Sequence, residues 1–209
     1  MTPLRKDTIA TRSLLINTAE KLFAEKGVES TTLFDVFKAS GLKNRSALQY
    51  HFKDKHGLIN AVLNKHSESV AKLRSEMLNE LEHRDSHTLY DVIRAIVIPM
   101  ATQLENPDGG EEFIQLHSQL MVSKQYRELR AQRPEYMEEK IRIMTMIRPF
   151  LATEKPVEKM IACSPLFDSL LIHGLARYKD CSDQVSREVY LHTIIQAIVD
   201  LLMQPHKVA

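Results

Sequence analysis

Residues 31–53 read TTLFDVFKASGLKNRSALQYHFK, two short amphipathic stretches on either side of a Ser40-Gly41 breaker. Leu33, Val36 and Phe37 recur at helical spacing, and Leu42, Leu48 and Phe52 can close a core beneath them. Thr31 or Thr32 caps the first stretch, with Asp35 placed as the capping-box acid for Thr32. Two short helices joined by a turn containing glycine have the geometry of a helix-turn-helix. The second helix and its lead-in leave Lys43, Asn44, Arg45, Ser46, Gln49 and Tyr50 facing outward. Asn and Gln can pair bidentately with adenine and Arg with guanine, while Ser, Tyr and Lys suit phosphates or bases. The pattern alone equally describes a polar helix that faces water.

Outward from this motif the chain reads as helix almost throughout. Only 6 glycines and 8 prolines punctuate 209 residues, and apolar side chains recur as at Leu15, Ala19, Leu22 and Phe23. A first helix is expected over 7–26, ended by Gly27, and Asp54 caps a long fourth over 54–81. Further helices are expected over 86–104, bent at Pro99, and over 111–122, 124–132, 135–151, 156–178 and 183–203. The expected architecture is all-α with about nine helices. A three-helix helix-turn-helix domain over 1–55 precedes a larger helical domain over 56–209, with 54–81 as the connector.

Charge separates the same two regions. Residues 1–67 hold 11 Lys and Arg against 6 Asp and Glu, whereas residues 68–209 hold 17 against 21. A basic front third beside an acidic remainder is the footprint of a small polyanion-binding module joined to something else. Composition excludes other classes. At 44% hydrophobic and 26% charged the chain is neither disordered nor membranous, and no stretch is apolar enough to span a bilayer. Cys163 and Cys181 form no paired motif and no apolar leader opens the chain, so a reducing, cytoplasmic setting is expected.

Catalysis and metal binding find no support. His117, His173 and His192 lack a partner at helical spacing, and the two cysteines are spaced unlike a zinc site. No Gly-x-Ser-x-Gly elbow or Gly-rich phosphate loop is present, so neither an enzyme, a metal nor another cofactor is expected.

The segments SLLINTAEKLFAEKGVESTTL, ASGL and YHFKDKHGLINAVL together resemble the DNA-binding domain of TetR-family repressors over about residues 8–67. The resemblance makes Gly41 the turn glycine and the segment from Lys43 to Tyr50 the recognition helix with its lead-in. It places Tyr50 and His51 at backbone-contacting positions, Lys55 near a phosphate at the start of the fourth helix, and Thr31 and Thr32 where hydroxyl and N–H groups hold a phosphate. The chain departs from the family pattern by one extra residue between Gly41 and Phe52, and by Gln49 where an aromatic residue is usual.

The resemblance also implies a homodimer whose last two helices pair across the two-fold axis, through Phe167, Leu170, Leu171, Gly174, Leu175, Ile194, Ile195, Ile198 and Leu202. An intramolecular core is the plainer reading of the same residues. Met100, Leu104, Phe113, Leu116, His117, Leu120, Met121, Met144, Ile147 and Phe150 offer a deformable apolar lining for a small effector, or simply a methionine-rich core. The expected function is a ligand-responsive repressor released from a near-palindromic operator in double-stranded DNA. Two alternatives remain: a DNA-binding dimer with no effector, and a helical ligand-binding protein with a non-functional helix-turn-helix.

Overall fold

The computed structural model describes residues 6–44, 46–131, 134–151 and 153–205. These form ten α-helices: α1 (Lys6–Lys26), α2 (Leu33–Ser40), α3 (Ser46–Phe52), α4 (Lys55–Glu82), α5 (Leu89–Ala101), α6 (Gly110–Val122), α7 (Lys124–Ala131), α8 (Pro134–Ile147), α9 (Pro156–Ala176) and α10 (Gln184–Met203). Single 3₁₀ turns follow α5, α8 and α9, and no strand occurs among the described residues. The fold is all-α, with an N-terminal helix-turn-helix followed by a helical domain.

Side-chain caps mark the starts of α2, α3, α5 and α10. Thr32 and Thr88 each accept from the backbone three residues on, and Asp35 and Asp91 return the bond to complete capping boxes. Asp183 caps α10 by accepting from Ser186 N. At α3 the cap is Asn44, whose Oδ1 accepts from Ser46 N at 3.0 Å. Each such cap contributes about 0.5–2 kcal/mol to its helix.

The contacts divide the chain into two compact units, Met1–Glu68 with Gln103–Leu120 and Ser69–Thr102 with Met121–Ala209. Sequence reading placed a division at residue 55. By contacts, the first half of α4 and most of α6 group with the helix-turn-helix. In that first unit Leu15, Ala19, Phe23, Val36, Leu48, Phe52 and Leu58 form a core with Phe113, Ile114 and Leu116. The periodic apolar residues of α1 are therefore covered from both directions in the sequence.

The second unit is organised on α5, which packs against α8, α9 and α10. Leu89, Val92, Ile93, Ala95, Ile96, Val97 and Met100 are all buried. Nine of the thirteen residues of α5 are buried, so this helix is enclosed on most sides. Lys159 of α9 is 2% exposed and donates through Nζ to the carbonyl of Gln204 at 2.6 Å. Its charge thus meets the negative end of α10. Arg142 of α8 donates from Nε and Nη2 to the two oxygens of Glu82, both at 3.0 Å, and from Nη2 to Asn79 at 2.6 Å.

Candidate nucleic-acid interface

The helix-turn-helix is held from beneath by α1. Val36 of α2 and Leu48 and Phe52 of α3 are buried, so the two short helices present only their opposite faces to solvent. Gly41 carries the turn at φ 69°. This left-handed conformation costs an L side chain about 1–2 kcal/mol and costs glycine nothing. Arg12 of α1 lies 5.4 Å above the Phe52 ring, which places a cation against the end of α3.

The expected contact residues separate into distinct groups. Lys43, Gln49 and Tyr50 are exposed, Tyr50 at 74%, and they form the accessible polar surface of the recognition helix and its lead-in. Asn44 and Ser46 are also exposed, but they are joined to each other, since Ser46 Oγ donates to Asn44 Oδ1 at 2.6 Å. Arg45 lies outside the described residues. Thr32 is exposed at the start of α2, where its hydroxyl donates to Asp35 at 2.6 Å. That hydroxyl and the Thr32 backbone N–H hold the Asp35 carboxyl below its ordinary range. The α2 N-terminus therefore already carries an anion of its own.

Thr31 is turned inward. It is 1% exposed, and its hydroxyl donates to the carbonyls of Gly27 at 2.8 Å and Leu22 at 3.3 Å. Lys55 is half-buried and donates to the carbonyl of Glu29 at 3.4 Å, which ties the turn before α2 to the start of α4. His51 is half-buried, and burial, followed by the nearby Arg12 cation, lowers its pKa. Sequence reasoning passed over Arg12 and over Phe34, which is 51% exposed on α2. Arg12 was visible only as part of the basic excess, and the exposure of Phe34 depends on which side of α2 meets α1.

The other two groups of expected residues are also placed. Leu104, Phe113, His117 and Leu120 are buried in the first unit, together with Leu116. Met100 and Ile147 are buried in the second, where Met121, Met144 and Phe150 are half-buried. Of the residues expected at a dimer axis, Leu171, Leu175, Ile194, Ile195, Ile198 and Leu202 are buried within the single chain. Gly174 and Phe167 are half-buried and Leu170 is exposed. A side chain at Gly174 would crowd Ile194, so this glycine serves the approach of α9 to α10 within one chain. The apolar residues that these two helices leave at the surface include Leu166, Leu170, Val185 and Val189.

Residues 15–62 match the family described as bacterial regulatory proteins, tetR family. Over 72 residues the chain is 32% identical to the HTH-type transcriptional regulator AcrR of Shigella flexneri, covering 34% of this chain and 33% of that protein. Over 100 residues it is 34% identical to the HTH-type transcriptional regulator TtgR of Pseudomonas putida, covering 48% of this chain and 45% of that one. The matches thus span less than half the length of these curated relatives. Among solved structures, NalD, the secondary repressor of the MexAB-OprM multidrug efflux pump in Pseudomonas aeruginosa, superposes with a TM-score of 0.59 at 18% identity, covering 97% of this chain and 100% of that one. The TetR family regulator PfmR from Thermus thermophilus superposes at 0.56 with 19% identity, covering 99% and 100%. At these identities the structural likeness concerns the fold.

Proposed function

From the match of residues 15–62 to the tetR family, we propose that the chain is a TetR-family regulator and not an enzyme, acting as a homodimeric repressor. Two copies of α3 read a near-palindromic operator in double-stranded DNA, and a small, largely apolar effector releases them. The observation that carries this reading is the two-sided character of α3. Leu48 and Phe52 anchor it in the core, while Gln49 and Tyr50 stand out beside Lys43. Gln49 is the base reader, and Lys43 and Tyr50 hold the phosphate backbone. The repressor assignment draws on NalD, whose description names it a repressor.

The dimer brings two recognition helices to half-sites about 34 Å apart, which a single short helix-turn-helix needs for affinity. Support for it comes from Leu166, Leu170, Val185 and Val189, apolar side chains left exposed in pairs one turn apart on α9 and α10. The effector is assigned to the second unit, where half-buried Met121, Met144 and Phe150 combine apolar chemistry with access from outside. A cytoplasmic location is part of the same proposal, and no helix among the described residues is long and apolar enough to cross a membrane.

The test is fluorescence anisotropy of the purified protein against DNA flanking its own gene and a scrambled duplex, across a salt series. Tight binding to one site with a steep salt slope and two or four chains per duplex is the expected result. Equal, weak binding to both duplexes across all flanking DNA, with no operator recovered by in vitro selection, overturns it.

A further inference from the structure

Within the first unit, α6 and the loop before it are bonded to the helix-turn-helix at two places. At the first, Glu20 of α1 is 2% exposed and receives Lys65 of α4 at 2.8 Å, with His66 Nε2 at 2.7 Å. Gln103 lies 3.2 Å from the other nitrogen of His66, and Asp108 takes Lys65 at 2.9 Å. The loop passes so close that a Cβ at Gly109 would overlap the Glu20 carboxylate. Gly109 also has φ 82°, so its lack of a side chain serves both the turn and the approach.

The second place is Gln119, nine residues into α6. Its Oε1 accepts from Val28 N at 2.7 Å and its Nε2 donates to the Phe23 carbonyl at 2.8 Å. Phe23 belongs to the last turn of α1, and Val28 lies in the connection to α2, just after Gly27. One primary amide therefore supplies both an acceptor and a donor to the backbone at this corner. The same corner is closed on itself by the Thr31 hydroxyl on the Gly27 carbonyl, one residue before the α2 cap, and is fastened to α4 by Lys55 on Glu29. Among the natural side chains of this length, only glutamine offers that pair of functions without a charge.

We propose that Gln119 is a positioning residue for operator recognition: it sets the α1–α2 corner, and so links the placement of α6 to the placement of the helix-turn-helix. Gln119 needs no contact with DNA to do this. A change in α6 that withdrew the amide would leave the Val28 N–H unmatched, would leave the Phe23 carbonyl only its bond from Gly27 N at 3.1 Å, and would free the corner on which α2 is mounted. The inference rests on the reading of this chain as a DNA-binding regulator.

The test uses the full-length protein carrying Gln119→Glu or Gln119→Met, with wild type measured beside them on the selected operator and a scrambled duplex. A carboxylate keeps the acceptor but sets two oxygens against each other at Phe23, whereas a protonated carboxyl restores the donor. At pH 8 both variants are expected to bind operator about tenfold more weakly than wild type, with affinity for the scrambled duplex changed less than about threefold. Relative to wild type at each pH, Gln119→Glu is expected to recover near pH 5 while Gln119→Met does not. Folded variants that bind operator as tightly as wild type overturn the proposal. So does a parallel loss on both duplexes that tracks a loss of helicity by circular dichroism, because a purely structural residue gives that result. Failure of wild type to prefer the operator is a separate outcome, which removes the DNA-binding reading and this inference with it.

Discussion

Replacing Leu166 by Glu tests the proposed dimer at a position where the single chain has little to lose. Leu166 is 58% exposed on α9, so a carboxylate there remains solvated in the monomer. Full burial of a leucine side chain contributes about 1.5–3 kcal/mol, and the exposed share of that is about 1–1.7 kcal/mol. A two-fold interface counts every substitution twice, which brings the lost burial to about 2–3.5 kcal/mol per dimer. The dimer dissociation constant is then expected to rise roughly 30- to 300-fold, before any repulsion between the two carboxylates. Sedimentation equilibrium measures it directly, with thermal unfolding of the dilute monomer as the control. Val189→Glu on α10, where the native side chain is 60% exposed, should weaken the dimer in the same direction. If both variants dimerise as wild type does, α9 and α10 do not form the interface, and the exposed residues on these helices need another explanation.

Further outcomes follow from the other contacts. Gln49→Ala should relax base preference at one operator position by about 1–3 kcal/mol, read from binding to single-base operator variants, and unchanged discrimination would remove Gln49 from base readout. The lowered pKa of His51 means the folded state resists protonation more than the unfolded chain does. Stability should therefore fall as pH drops below the ordinary value of 6.5, levelling off beneath the folded-state pKa. Urea denaturation of wild type and His51→Gln between neutral and mildly acidic pH should show the variant less acid-sensitive in that window. Arg142→Met should cost about 1 kcal/mol or less, because its partner Glu82 is partly solvated, and lower Tm by about 2–4 °C. No change would mean that water replaces the Glu82 and Asn79 bonds without loss.

The helices and the motif were legible because their causes are local. Thr32 with Asp35, Gly41, the apolar spacing of α1, and Asp183 before α10 each act over a few residues. Boundaries moved where a cap sits later than the first polar residue, as at Thr88, which starts α5 three residues after 86 would have. The candidate interface was legible as a set of residue types and not as individual roles. Asn44 and Ser46 suit adenine or phosphate by chemistry, yet Asn44 Oδ1 takes both the backbone N–H and the hydroxyl of Ser46 at the start of α3. Thr31 and Thr32 are adjacent in sequence, and only packing against α1 turns one inward and leaves the other at the surface.

By itself, then, the sequence determined an all-helical chain, a basic helix-turn-helix near its start and the family which that motif resembles, because periodicity, caps and turn glycines need no distant partner. Tertiary structure decided which chemistry remains available at each position. It buried Leu171, Ile194 and Ile198 within one chain and left Leu166 and Val189 outside, a choice that depends on how α9, α10 and α5 share their faces. It also brought Gln119 to Val28, 91 residues away, and Glu20 to His66, 46 residues away. Neither pairing has a local signature, since a buried polar group is matched by whatever the folded chain places beside it.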